Sequence, residues 1–72
     1  MKDKELERYF GKAIRDKRLE KKITQEQLSE LVGISVTYLR SVEHGSHSIT
    51  WKIWLNICKV LQLDIKDFID KV

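Results

Sequence analysis

His44 and His47 stand three residues apart, about one helical turn, and imidazole pairs at that spacing can hold zinc. A zinc site also needs a third and usually a fourth protein ligand. Gly45 lies between the two histidines, where it would end a helix, and no nearby Asp, Glu or Cys completes a ligand set. The run Gly45-Ser46-His47-Ser48 puts hydroxyls beside an imidazole, the parts of a nucleophile and its base. No third group orients that histidine. Cys58 is the single cysteine, and Trp51, Trp54 and Cys58 share one helical stripe at i, i+3 and i+7, which reads as core. These residues predict no metal, no cofactor and no catalysis.

A different chemistry sits just upstream. Val36 to His44 reads as a short helix, and at ~100° per residue Leu39, Val42 and Glu43 share one side of it. Thr37, Arg40, Ser41 and His44 share the opposite side, flanked by Val36 and Tyr38. That outward face is small, polar and hydrogen-bonding. It fits a DNA major groove ~12 Å wide, where base edges present donors, acceptors and thymine methyls. Taken singly, Arg40 reads equally as a solvated surface cation, and Tyr38 as a ring packed sideways on the protein. What would make them a site is the framework that presents them.

That framework is written in four similar junctions. Ile23/Thr24/Leu28, Ile34/Ser35/Leu39, Ile49/Thr50/Trp54 and Leu63/Asp64/Phe68 each place apolar residues around a capping oxygen. This is the hydrophobic staple of a helix start, and Thr, Ser and Asp are favoured caps because they accept bonds from otherwise orphaned N–H groups. Thr24-Gln25-Glu26-Gln27 is also a capping box. Gly33 and Gly45 stand where helices should stop in the left-handed conformation. Five helices are expected: Lys4–Lys21, with Leu6, Phe10, Ala13 and Ile14 as its apolar stripe; Gln25–Val32, burying Leu28, Leu31 and Val32; Val36–His44; Trp51–Leu61; and Ile65–Lys71. Only Gly33-Ile34-Ser35 separates the second helix from the third, the short Gly-containing turn of a helix-turn-helix.

Composition agrees with one small all-α domain over residues 1–72. The chain has no Pro, three Gly and no alternating strand pattern. Its longest apolar run, Ile53-Trp54-Leu55, is far short of the ~20 residues of a membrane span. One cysteine makes no internal disulfide, and the start lacks the apolar segment of a signal peptide, so a soluble, cytoplasmic protein with no membrane contact is expected. The net charge of +3 is unevenly spread. Residues 1–23 carry nine Lys/Arg against five Asp/Glu, whereas residues 24–50 carry one against three.

Thr24-Gln25, Leu28, Gly33, Ser35, Val42-Glu43 and Gly45 together resemble the helix-turn-helix pattern of lambda-repressor/Cro-like (XRE-type) transcriptional regulators. Phe10-Gly11-Lys12-Ala13-Ile14-Arg15 through Arg18 is similar to the family's first helix, and Ile57, Leu61 and Phe68 fit its last two. The resemblance covers about residues 9–69. Within the family, Thr37-Tyr38-Leu39 with Ser46–Thr50 and no Pro is most similar to restriction–modification controller proteins. The resemblance implies a compact five-helix lambda-repressor-like domain that binds double-stranded operator DNA as a homodimer and regulates transcription, for example as a repressor. By the same resemblance Thr24 and Gln25 hold a phosphate at the start of the second helix. Val36, Thr37, Arg40 and Ser41 then face base edges, and Tyr38 lies near the DNA backbone. Ser46, His47 and Lys52 reach phosphate from the following loop and helix start, while Arg18 and Glu43 match positions that pair.

Lys22 departs from the pattern, standing where the family usually has Gly at the end of its first helix. The acidic middle segment leaves electrostatic attraction to Lys12, Lys17, Lys52, helix dipoles and a second subunit. Helix four is polar only along Lys52, Asn56 and Lys59, and with helix five it offers the apolar surface for a homodimer. The rival reading is a protein-interaction helix-turn-helix module, such as an antitoxin or bridging factor.

Overall fold

The computed structural model describes residues 3–64 and 66. Among these are four helices: α1 (Asp3–Glu20), α2 (Gln25–Val32), α3 (Val36–His44) and α4 (Trp51–Leu61). The expected fifth helix, Ile65–Lys71, lies outside the described residues apart from Lys66. Its start carries one expected bond, the Lys66 N–H donated to Asp64 Oδ1 at 3.0 Å.

Local chemistry sets each start. Thr24, Ser35 and Thr50 are N-caps in extended conformation, their hydroxyl oxygens accepting from Gln27, Tyr38 and Ile53 N–H respectively. At α2 the Gln27 side chain returns the bond to the Thr24 N–H, which completes the capping box.

The ends are equally uniform. Each helix closes through a left-handed residue, at Lys22, Gly33, Gly45 and Gln62, and the following N–H reaches back five residues to a carbonyl. The four such bonds are Ile23 to Arg18, Ile34 to Ser29, Ser46 to Ser41 and Leu63 to Cys58. This is the Schellman arrangement, which satisfies carbonyls left over at a helix C-terminus. Lys22 therefore does adopt the left-handed cap, at φ 58° and without glycine. The turn also ends α1 at Glu20, one residue before the expected Lys21.

The core is Ile14, Leu28, Leu39, Val42, Trp54, Ile57, Cys58 and Leu61, with Phe10 stacked on Trp54 at 4.8 Å between centroids. Two expected core residues are exposed instead. Leu31 is 63% exposed, because α2 turns the side between Leu28 and Ser29 inward. Small Ser29 is buried there, its hydroxyl donating to the Glu26 carbonyl. Trp51 is also 63% exposed. As the first residue of α4 it has no preceding turn to lie on, and helical side chains lean toward the N-terminus, so its ring overhangs the helix end.

Gly11 sets how closely α1 meets α3. A Cβ there would collide with the Val42 carbonyl oxygen and stand 2.9 Å from that of Glu43. The backbones of α1 and α3 touch at this point. A larger residue would push α3 outward.

Candidate nucleic-acid interface

α3 presents one face to the core through Leu39 and Val42 and the other to solvent. Thr37, Arg40 and His44 are exposed on the outer face, while Val36, Tyr38 and Ser41 are half-buried at its edges. The inward/outward division therefore follows the helical phase read from the sequence.

Glu43 anchors the back of this helix. Its carboxylate accepts from Arg18 Nε at 2.8 Å and Nη2 at 3.1 Å, a two-pronged pair whose side chains are only 8% and 4% exposed. Arg18 Nη1 donates to the Ile23 carbonyl at 2.9 Å, so the guanidinium also ties down the turn between α1 and α2. A planar fork suits such a site because its N–H groups match carboxylate geometry in parallel. Removing either partner would strand a charge out of water.

Gln25 opens α2 beside this pair. Its Nε2 donates to Glu43 Oε1 at 3.2 Å, and its Oε1 accepts from Arg40 Nε at 3.1 Å. Arg40 Nη2 also lies 3.9 Å from Glu26 Oε1, a solvent-exposed approach that contributes little. The structure thus brings Gln25 and Arg40 together, a contact the spacing of the sequence did not indicate. Thr24 is exposed, its Oγ1 engaged in the cap.

Four of the other expected residues, Thr37, Tyr38, Ser41 and His47, meet at the far edge of α3. Ser35, Thr37, Tyr38, Ser41 and His47 line one shallow depression. Tyr38 meets His47 edge to face at 5.8 Å and its hydroxyl donates to the Ser48 carbonyl at 3.4 Å. The ring is thus braced on the loop after α3. Ser41 Oγ donates to the Thr37 carbonyl, and Ser46 Oγ to that of Ser41. Ser48 Oγ donates to Glu7 Oε1, which ties the loop to α1. Lys52 is exposed on the first turn of α4, next to the exposed Trp51. Trp51, an expected core residue, instead lines a separate cavity with Leu6, Phe10, His47 and Trp54.

Burial pushes the Cys58 thiol up to about 11, so at neutral pH it is a protonated core residue, not a nucleophile. Among the described residues no group of three or more His, Cys, Asp or Glu could hold a metal ion. No helix among them is long and apolar enough to cross a membrane.

A helix-turn-helix family model matches residues 14–68 of the chain. The chain is 34% identical over 56 residues to the ImmF control region 10 kDa protein of Bacillus phage phi105, a match covering 78% of this chain. It spans 62% of that relative's length. The fold is similar to that of the clp gene regulator ClgR from Corynebacterium glutamicum, with a TM-score of 0.84 at 26% identity. That likeness covers 92% of this chain and 70% of the other.

Proposed function

Because the chain belongs to the XRE-type helix-turn-helix family, we propose that it is a cytoplasmic, DNA-binding transcriptional regulator that lays α3 in the major groove of operator DNA. The observation that carries this reading is the outer face of α3. Thr37, Arg40 and His44 stand exposed on a helix whose other side is locked by Leu39, Val42 and the Arg18–Glu43 pair. Rigid presentation of hydrogen-bonding groups is what base reading requires. In this reading Thr24, Gln25, Ser46, His47 and Lys52 contact the DNA backbone, Tyr38 lies beside it, and Val36, Thr37, Arg40 and Ser41 meet base edges.

The proposal includes a homodimer through α4 and the segment after it. Leu55 is exposed on α4, and Ile53 and Val60 are half-buried along its edge. A two-fold pair would set two copies of α3 about one DNA turn, ~34 Å, apart. Selection from a random duplex pool tests both parts. An inverted repeat with half-sites one turn apart supports the reading. Recovery of no sequence, with no shift of random DNA at low salt, turns the assignment to a protein-interaction module. A monomer by sedimentation at tens of micromolar removes the dimer.

A further inference from the structure

Arg40 is held before any DNA arrives, and what holds it has a direction. The Gln25 amide faces a carboxylate on one side and a guanidinium on the other. Glu43 can only accept hydrogen bonds and Arg40 can only donate them. Flipping the amide would place oxygen against oxygen and N–H against N–H, so its orientation is fixed by its neighbours. Glu43 is fixed in turn by Arg18, which is anchored on the Ile23 carbonyl. The series runs outward from two nearly buried side chains, through a half-buried amide, to a side chain 62% exposed.

We propose that Gln25 is a specificity-determining positioning residue, which holds Arg40 by its Nε–H and so presents the Nη1/Nη2 edge to a guanine. This deepens the reading of α3 as a DNA-reading helix and rests on it. Gln25 on Nε and Glu26, 3.9 Å from Nη2, both lie along the side of the guanidinium, which leaves its Nη1/Nη2 end to offer two parallel N–H bonds that match guanine O6 and N7. An arginine without the grip samples many rotamers, all of which must be lost when it pairs. Gln25 thereby acts on a base it does not touch. A residue that only contacted phosphate would change affinity for every sequence alike.

Two measurements on wild type, Gln25→Ala and Gln25→Met test this, the second variant keeping the length of the side chain without its hydrogen bonds. The first is NMR of the free protein. The Arg40 Nε–H should be ordered and slow to exchange in the wild type, and resemble that of the exposed Arg15 in both variants. The second is binding to a panel of duplexes varied at the base position where Arg40→Ala levels the preference. A bidentate arginine–guanine pair discriminates by roughly 5- to 150-fold. Both Gln25 variants should lose most of that factor at this one position and keep the preference at the others. Uniform weakening with the preference intact, or an Arg40 Nε–H unchanged by the substitutions, overturns the proposal. A sharpened preference does so too, since the contact would then be restraining Arg40 from its base. If the wild type itself discriminates no sequence, the DNA reading fails and the proposal with it, an outcome distinct from a selective wild type whose preference ignores Gln25.

Discussion

Replacing Glu43 by Ala removes the acceptor of three hydrogen bonds, two from Arg18 and one from Gln25. The Arg18 side chain is 8% exposed and keeps only its Nη1 bond to the Ile23 carbonyl. Breaking a buried pair on one side costs about 3–5 kcal/mol, because the remaining charge is left uncompensated. A domain of this size has roughly 4–11 kcal/mol in total, so the variant loses a large part of its stability. At about 4–8 °C per kcal/mol, the expected fall in Tm is at least about 12 °C. Arg18→Met on its own strands the carboxylate instead and should cost a similar amount. The double variant should be clearly more stable than the sum of the two losses predicts, since no buried charge then remains. Thermal and urea unfolding, followed by circular dichroism, measure all four corners of the cycle. A Glu43→Ala protein within about 1 kcal/mol of wild type, or two losses that simply add, would show that the pair is solvated and does not anchor α3.

Gly11→Ala should destabilise by about 1–3 kcal/mol or more, because its Cβ meets the α3 backbone, which cannot yield as a flexible side chain can. Urea unfolding reads the loss directly, and an unchanged midpoint would refute the close approach. Lys22→Gly should stabilise by about 0.5–1 kcal/mol, since a left-handed non-Gly residue costs ~1–2 kcal/mol and glycine gives back part of that as chain entropy. A lower Tm would mean the turn does not need that conformation. Because the Cys58 thiol titrates near 11 when folded and near 9 when exposed, folding gains nothing from it below pH 9 and loses stability as pH rises from 9 to 11. The alkaline fall should be about 2–3 kcal/mol shallower in Cys58→Ala, and identical pH profiles would contradict the burial argument.

The boundaries of α2, α3 and α4 were legible in the sequence because they rest on local chemistry, a capping oxygen at one end and a left-handed residue at the other. The outer face of α3 was legible for a related reason, since helical phase alone separates Thr37, Arg40 and His44 from Leu39 and Val42. Glu43 disclosed its need for a partner by lying on the inward side. In α2 the apolar residues Leu28, Leu31 and Val32 allow more than one inward phase, and the spacing alone does not show that Ser29, not Leu31, is the buried one. Trp51 escaped for want of a turn beneath it. The Gln25–Arg40 contact and the packing of Gly11 depend on how separate helices meet, which no local spacing encodes.

Whether α3 reads base sequence through Arg40 is settled by titrating wild type and Arg40→Ala on the selected duplex and on random duplex of equal length. Both titrations are carried over a range of salt, because phosphate contacts alone give a salt slope without any preference. Arg40→Ala should lose about 1–3 kcal/mol on the selected duplex, and less on random DNA, with preference relaxed at one position in each half-site. Equal losses on both duplexes would contradict it, making Arg40 a phosphate contact and leaving base reading to Val36, Thr37 and Ser41.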